Sequence, residues 1–126
     1  MKVILAGSRN FPEAVFRSVM AQCPLVITEV VSGMARGPDT FALAFASQRD
    51  LPVKKFPADW NAHGKAAGHL RNSHMAEYAD ALIAFWDGAS PGTYHMVHTM
   101  SKLNKPYVLV DTFGVVRHSS HPEVWR

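Results

Sequence analysis

Three features of this sequence predict a single α/β domain with a mainly parallel sheet of about five strands and helices on both faces. Short aliphatic runs alternate with helix-length segments about every dozen residues. The helical segments carry one-sided apolar stripes. Glycine, serine and arginine gather where the aliphatic runs end, as they do at the carboxyl edge of a parallel sheet.

The elements follow in order. "KVILAG" is short, β-branched at Val3 and Ile4, and stopped by glycine, which reads as a buried first strand. Pro12 suits a helix start, and Val15, Phe16, Val19 and Met20 then share one face until Pro24 ends the helix. "LVITEVVSG" is the second strand. In "RGPDTFALAFASQRD", Pro38 opens a helix with Asp39 in its first turn, and Phe41, Ala42, Phe45 and Ala46 form its stripe. "LPVKKFPA" is a third strand, and its prolines place it near an edge. "GKAAGHLRNSHMAEYA" is helical, with Gly68 weakening its middle or marking its true start. "DALIAFW", "GTYHMVHTMSKLN" and "KPYVLVD" give a fourth strand, a fourth helix and a fifth strand. The tail over residues 112–126, "TFGVVRHSSHPEVWR", is either a small terminal strand or an arm packing on another subunit. The alternation makes residues 1–126 one Rossmann-like domain.

Composition narrows the possible functions. At 126 residues the chain is one domain, large enough for a real core. No apolar run reaches the roughly 20 residues of a membrane span. Cys23 is the single cysteine, so no internal disulfide forms and a reducing, cytoplasmic setting is expected. The net charge of +3 is mild and dispersed, which argues against a sequence-independent nucleic-acid binder. His95 and His98 stand three apart on a helix without an acidic neighbour there, so no metal site is assigned. The apolar content and the tail ending in Val124 and Trp125 favour a homo-oligomer, a dimer or a tetramer.

Four strand exits carry polar or glycine-rich sequence. The first offers Gly7, Ser8 and Arg9: close backbone approach, a hydroxyl and a fork that grips phosphate. In the second, Ser32, Gly33, Arg36, Gly37 and Asp39 surround a helix start whose free amides suit an anion. Asp39 either favours that terminus or meets a ribose hydroxyl. The third holds Trp60, Lys65, Arg71 and Asn72; the indole is either a stacking surface or core. The fourth, "DGASPGT", sets Ser90, Gly92 and Thr93 at a helix start, with backbone amides for a phosphate. It is neither a Walker A loop nor a GxGxxG fingerprint. Asp59 and Asp87 read as turn residues near the pocket edge.

Taken together, "AGSRNF", "VSGMARGPDTFALAFA", "FPADWNAHGKAAGHLRNSHM" and "ALIAFWDGASPGTYHM" resemble the YspA-type branch of the SLOG superfamily, from Lys2 to about Val110. The resemblance implies a Rossmann-like sheet that binds nucleotides or nucleotide-derived ligands, with ADP-ribose-like molecules and NAD prominent. It would make the residues of the four exits named above the ligand loops. Related Lonely Guy phosphoribohydrolases carry G-T-x-x-E, whose glutamate assists cleavage of the base–ribose bond. Here "GTYHM" puts Met96 at that position, and methionine moves no proton.

The leading expectation is therefore non-catalytic binding of a nucleotide-derived small molecule, such as ADP-ribose, cyclic ADP-ribose, NAD or a nucleoside phosphate. The protein would act as a sensor or sequestering protein with no required cofactor. The alternatives are a phosphoribohydrolase-like or other N-glycosidic hydrolase using Asp39 or Asp87, and single-stranded nucleic-acid binding in the manner of DprA.

Overall fold

The computed structural model describes residues 1–125. Six strands are present: β1 (Lys2–Gly7), β2 (Glu29–Ser32), β3 (Val53–Lys55), β4 (Ala81–Phe85), β5 (Tyr107–Val110) and β6 (Val116–Ser119). They lie side by side in the order β3-β2-β1-β4-β5-β6. All neighbours pair in parallel except β6, which runs antiparallel to β5. Five α-helices connect them: α1 (Glu13–Ala21), α2 (Pro38–Gln48), α3 (Trp60–His63), α4 (Ala67–Tyr78) and α5 (Pro91–Lys102).

Strand alternation splits the core into two layers, because successive side chains point to opposite faces. Val3 and Leu5 of β1, Val30 of β2 and Ile83 and Phe85 of β4 face α1 and α2, meeting Phe16, Val19, Met20, Ala42 and Phe45. Ile4, Val31, Leu82 and Ala84 face the other way, onto Met75 and Ala76 of α4 and Met96 and Met100 of α5. The central strands are apolar on both faces, as a sheet covered on both sides requires. The stripes of α1 and α2 are the ones expected from their spacing; Val15 and Phe41 sit at the margins of that layer.

Three differences from the expected elements have simple causes. The second strand begins at Glu29, not at Leu25, because Glu29 already pairs with Lys2 and β1 offers no earlier partner. The third helical segment breaks into α3, a 3₁₀ turn over Gly64–Ala66, and α4; Gly64 at φ 55° makes the break, and α4 starts beside Gly68. The sheet has six strands instead of about five. Of the two readings of the tail, the structure contains the strand: β6 extends the sheet, and Trp125 folds back into the layer beneath α1 and α2. The Ser119 hydroxyl donates to the Trp125 carbonyl and closes that return. No helix among the described residues is long and apolar enough to cross a membrane.

Candidate functional site

Beyond the carboxyl ends of β1, β2 and β3 lies an open cleft of about 330 Å³. Arg9 comes from the first exit, Gly33 to Arg36 from the second, Pro57, Ala58 and Trp60 from the third, and Arg71 from α4. Three guanidinium groups and one indole thus share a cavity, and none of the described residues lining it is acidic. Trp60 is 59% exposed, so the core reading does not describe its placement. Its helix is short, but Asp59 caps it by accepting the Ala62 N–H at 3.0 Å, so the aspartate read as a turn residue fixes the indole's base. Met34 also lines the cleft, with φ 62°, a conformation uncommon outside glycine; nothing in the sequence signals it.

Arg71 is held by two bonds to the protein. Its Nη1 donates to the Gly33 carbonyl at 2.6 Å and its Nε to Asn72 Oδ1 at 3.0 Å. Nη2 makes neither bond and lies toward Gly68, which the Trp60 ring also approaches. Asn72 is buried and is spent on this network: Nδ2 donates to the Gly92 carbonyl at 3.3 Å and to His95 Nδ1 at 3.1 Å. It supports the cleft from behind. Because an amide nitrogen only donates, His95 Nδ1 is the acceptor and the proton sits on Nε2. Burial, and next the His69 ring stacked 3.8 Å away, hold the His95 pKa below its usual value.

Asp39 lies beneath the cleft and not in it. It is 4% exposed, and its Oδ1 accepts a long bond from the Gly7 N–H at 3.4 Å. Burial raises its pKa from 3.8 to about 6, against the opposing pull of Arg71 and then of the Gly7 and Gly33 amides. Gly33 is needed between the two side chains. A Cβ there would stand 2.8 Å from Arg71 Nη1 and 3.0 Å from Asp39 Oδ2. Ser32 is fully buried; its hydroxyl donates to the Asp39 carbonyl at 2.8 Å and accepts the Met34 N–H at 3.2 Å, pinning the second exit to α2. Gly37, at φ 83°, packs on the Ser8 and Arg9 carbonyls.

The remaining candidates sit elsewhere. Gly7 allows β1 and β4 to approach; a Cβ there would collide with the Phe85 carbonyl. Ser8 is buried, and its hydroxyl accepts the Asp87 N–H at 3.0 Å. Lys65 is exposed in the 3₁₀ turn and does not line the cleft. At the fourth exit, Thr93 is buried and Gly92 faces open space, but neither lines the cleft, nor does Ser90. The Asp87 carboxylate occupies that exit. It accepts the Ala89 and Ser90 N–H groups at 2.9 and 2.8 Å and the Ser90 hydroxyl at 2.9 Å. Those two backbone bonds pull its pKa down to about 2, so a fixed negative charge stands beside the loop expected to take a phosphate. Met96 is buried on the face of α5 that packs on the sheet.

The fold and the cleft together define a Rossmann-like α/β domain with an arginine-lined opening at the carboxyl edge of its sheet. The chain belongs to the YspA, cpYpsA-related SLOG family (YAcAr), whose sequence profile matches residues 1–63. That span carries β1 to α3, and so the first two exits and Trp60 of the third, but not Lys65, Arg71, Asn72 or the fourth exit. The gene 61 protein of Mycobacterium phage D29 is 40% identical over 85 residues, covering 63% of this chain and 68% of that protein. No solved structure gave a match.

Proposed function

We propose that this protein binds a nucleotide-derived small molecule in the cleft and holds it without cleaving it, as a sensor or a sequestering protein. The observation that carries this reading is the cleft lining: Arg9, Arg36 and Arg71 around an exposed Trp60, with no acid among them. Guanidinium forks suit phosphate oxygens, and an indole offers a face to a base. About 330 Å³ falls within the usual range of small-ligand sites. The phosphate belongs with these arginines and not at the start of α5, where the Asp87 charge would repel it. Family membership supports the same class of ligand, with ADP-ribose, cyclic ADP-ribose, NAD and nucleoside phosphates as its candidates. The lone Cys23 fits a cytoplasmic setting, and self-association is part of the reading.

Native mass spectrometry of the protein as purified from cells tests this directly, since a tightly held ligand adds its mass and the subunit count is read at once. Incubation with AMP, NAD and cyclic ADP-ribose followed by denaturation should return each bound compound intact. Released base or ribose phosphate would overturn the non-catalytic reading. The hydrolase reading draws on one observation, the raised pKa of Asp39. Its position behind Gly33 sets that carboxyl apart from the cleft surface.

A further inference from the structure

Asp39 and Arg71 flank the same point in space. The two side chains both come close to where a Gly33 Cβ would stand, at 3.0 and 2.8 Å, without forming an ion-pair contact. Only one of the pair, Arg71, lines the cleft. The carboxyl is almost fully enclosed, and Arg71 is the charged side chain acting on it. Other charges on the elements around α2 lie elsewhere. On α1, Glu13 and Arg17 line the groove between α1 and α2, with Arg49 opposite. Lys2 and Glu29 are at the far, amino ends of β1 and β2. Arg9 and Arg36 line the cleft itself, and no histidine does.

We propose that Asp39 is the internal counter-ion of the cleft: its carboxylate competes with the bound anion for the field of Arg71, so the ligand is held more tightly once Asp39 takes up a proton. The inference rests on reading the cleft as an anion site. An anion beside Arg71 brings a second negative charge to within a few ångströms of a buried carboxylate. Both cannot be charged without cost in so enclosed a place, and the proton relieves it. Linkage then runs both ways: protonation tightens binding, and binding makes Asp39 harder to ionise. The same carboxyl also keeps the empty cleft from holding an uncompensated guanidinium, which makes it a positioning residue for Arg71.

The test uses ADP-ribose, whose two diester-type phosphates keep their charge between pH 5 and 8, unlike a phosphomonoester with a second pKa of about 6. Calorimetry on the wild type should give affinity on the order of tenfold tighter at pH 5 than at pH 7.5. Asp39→Asn should bind with little pH dependence, at the wild type's low-pH affinity. A flat wild-type profile, or a profile that persists in Asp39→Asn, overturns the proposal while leaving nucleotide binding intact. If that variant fails to fold, the Asp39 carboxyl carbon resonance decides in the wild type. Saturating ADP-ribose should move its titration midpoint upward, and an unmoved midpoint refutes the linkage. If ADP-ribose binds at no pH, sulfate, a dianion throughout this range, is titrated instead and followed by the Gly33 amide signal. Sulfate binding that strengthens toward pH 5 keeps the role of Asp39 and removes the nucleotide; no sulfate binding at pH 5 overturns both.

Discussion

Replacing Asp39 with asparagine should remove one limb of the protein's stability-versus-pH profile. The carboxyl titrates near its usual 3.8 in the unfolded chain and at about 6 in the folded one. Between those values the folded state binds the extra proton, so this group's contribution is complete below pH 3.8 and is lost as pH rises through about 6. A gap of that size corresponds to roughly 3 kcal/mol, a sizeable share of a typical domain's stability. His95 works in the opposite direction over part of the window. Its pKa is held down by burial, so the fold is weakened as pH falls and the unfolded chain takes up the proton first. The quantity to measure is therefore the difference between wild type and Asp39→Asn in urea denaturation, taken at half-unit steps from pH 4 to 7.5. Wild type should lose about 2.5 kcal/mol relative to the variant across that range, most of the full difference. A constant difference would show that Asp39 is not enclosed as described and would refute the reasoning.

Cleft substitutions should separate the ligand's true neighbours from the fourth exit. Trp60→Ala and Arg36→Ala should each weaken ADP-ribose binding by about 1–3 kcal/mol in calorimetry. Gly92→Val, where a side chain enters open space, should fold normally and change that affinity less than about twofold. Gly7→Ala should lower the urea midpoint by an amount equivalent to about 1–3 kcal/mol or more, because the new methyl meets a strand carbonyl that cannot retreat. Trp125→Ala should cost about 3–5 kcal/mol by the same measurement, since the indole is 8% exposed and completes the layer beneath α1 and α2. A Trp125→Ala protein as stable as the wild type would mean that the tail is not part of the core.

The alternation of aliphatic runs with striped helices made the α/β class, the parallel sheet and the edge position of β3 readable in one dimension. Each of those follows from local periodicity and from which residues stop a strand. The polar exits were readable for the same reason, since glycine, serine and arginine after a strand have few places to go but the carboxyl edge. Their assignment to one pocket was not readable, because it depends on which loops curl inward. Asn72 looked like a ligand donor and is consumed by Gly92 and His95. Ser8 and Ser32 looked like open hydroxyls and are loop fasteners. Asp87 looked like a solvated turn residue and is one, exposed and bonded to the Ala89 and Ser90 N–H groups; what one dimension did not show is that its charge stands at the start of α5.

By itself, then, the sequence determined the layers of the sheet and the edge where polar residues collect, since hydrophobic period and chain punctuation are written in neighbouring residues. Only the tertiary structure decided that three exits and α4 share a cleft, that Asp39 lies behind Gly33, and that Trp125 returns to the core. Those outcomes depend on contacts between segments tens of residues apart, where burial and competition for hydrogen bonds are settled jointly and leave no local mark.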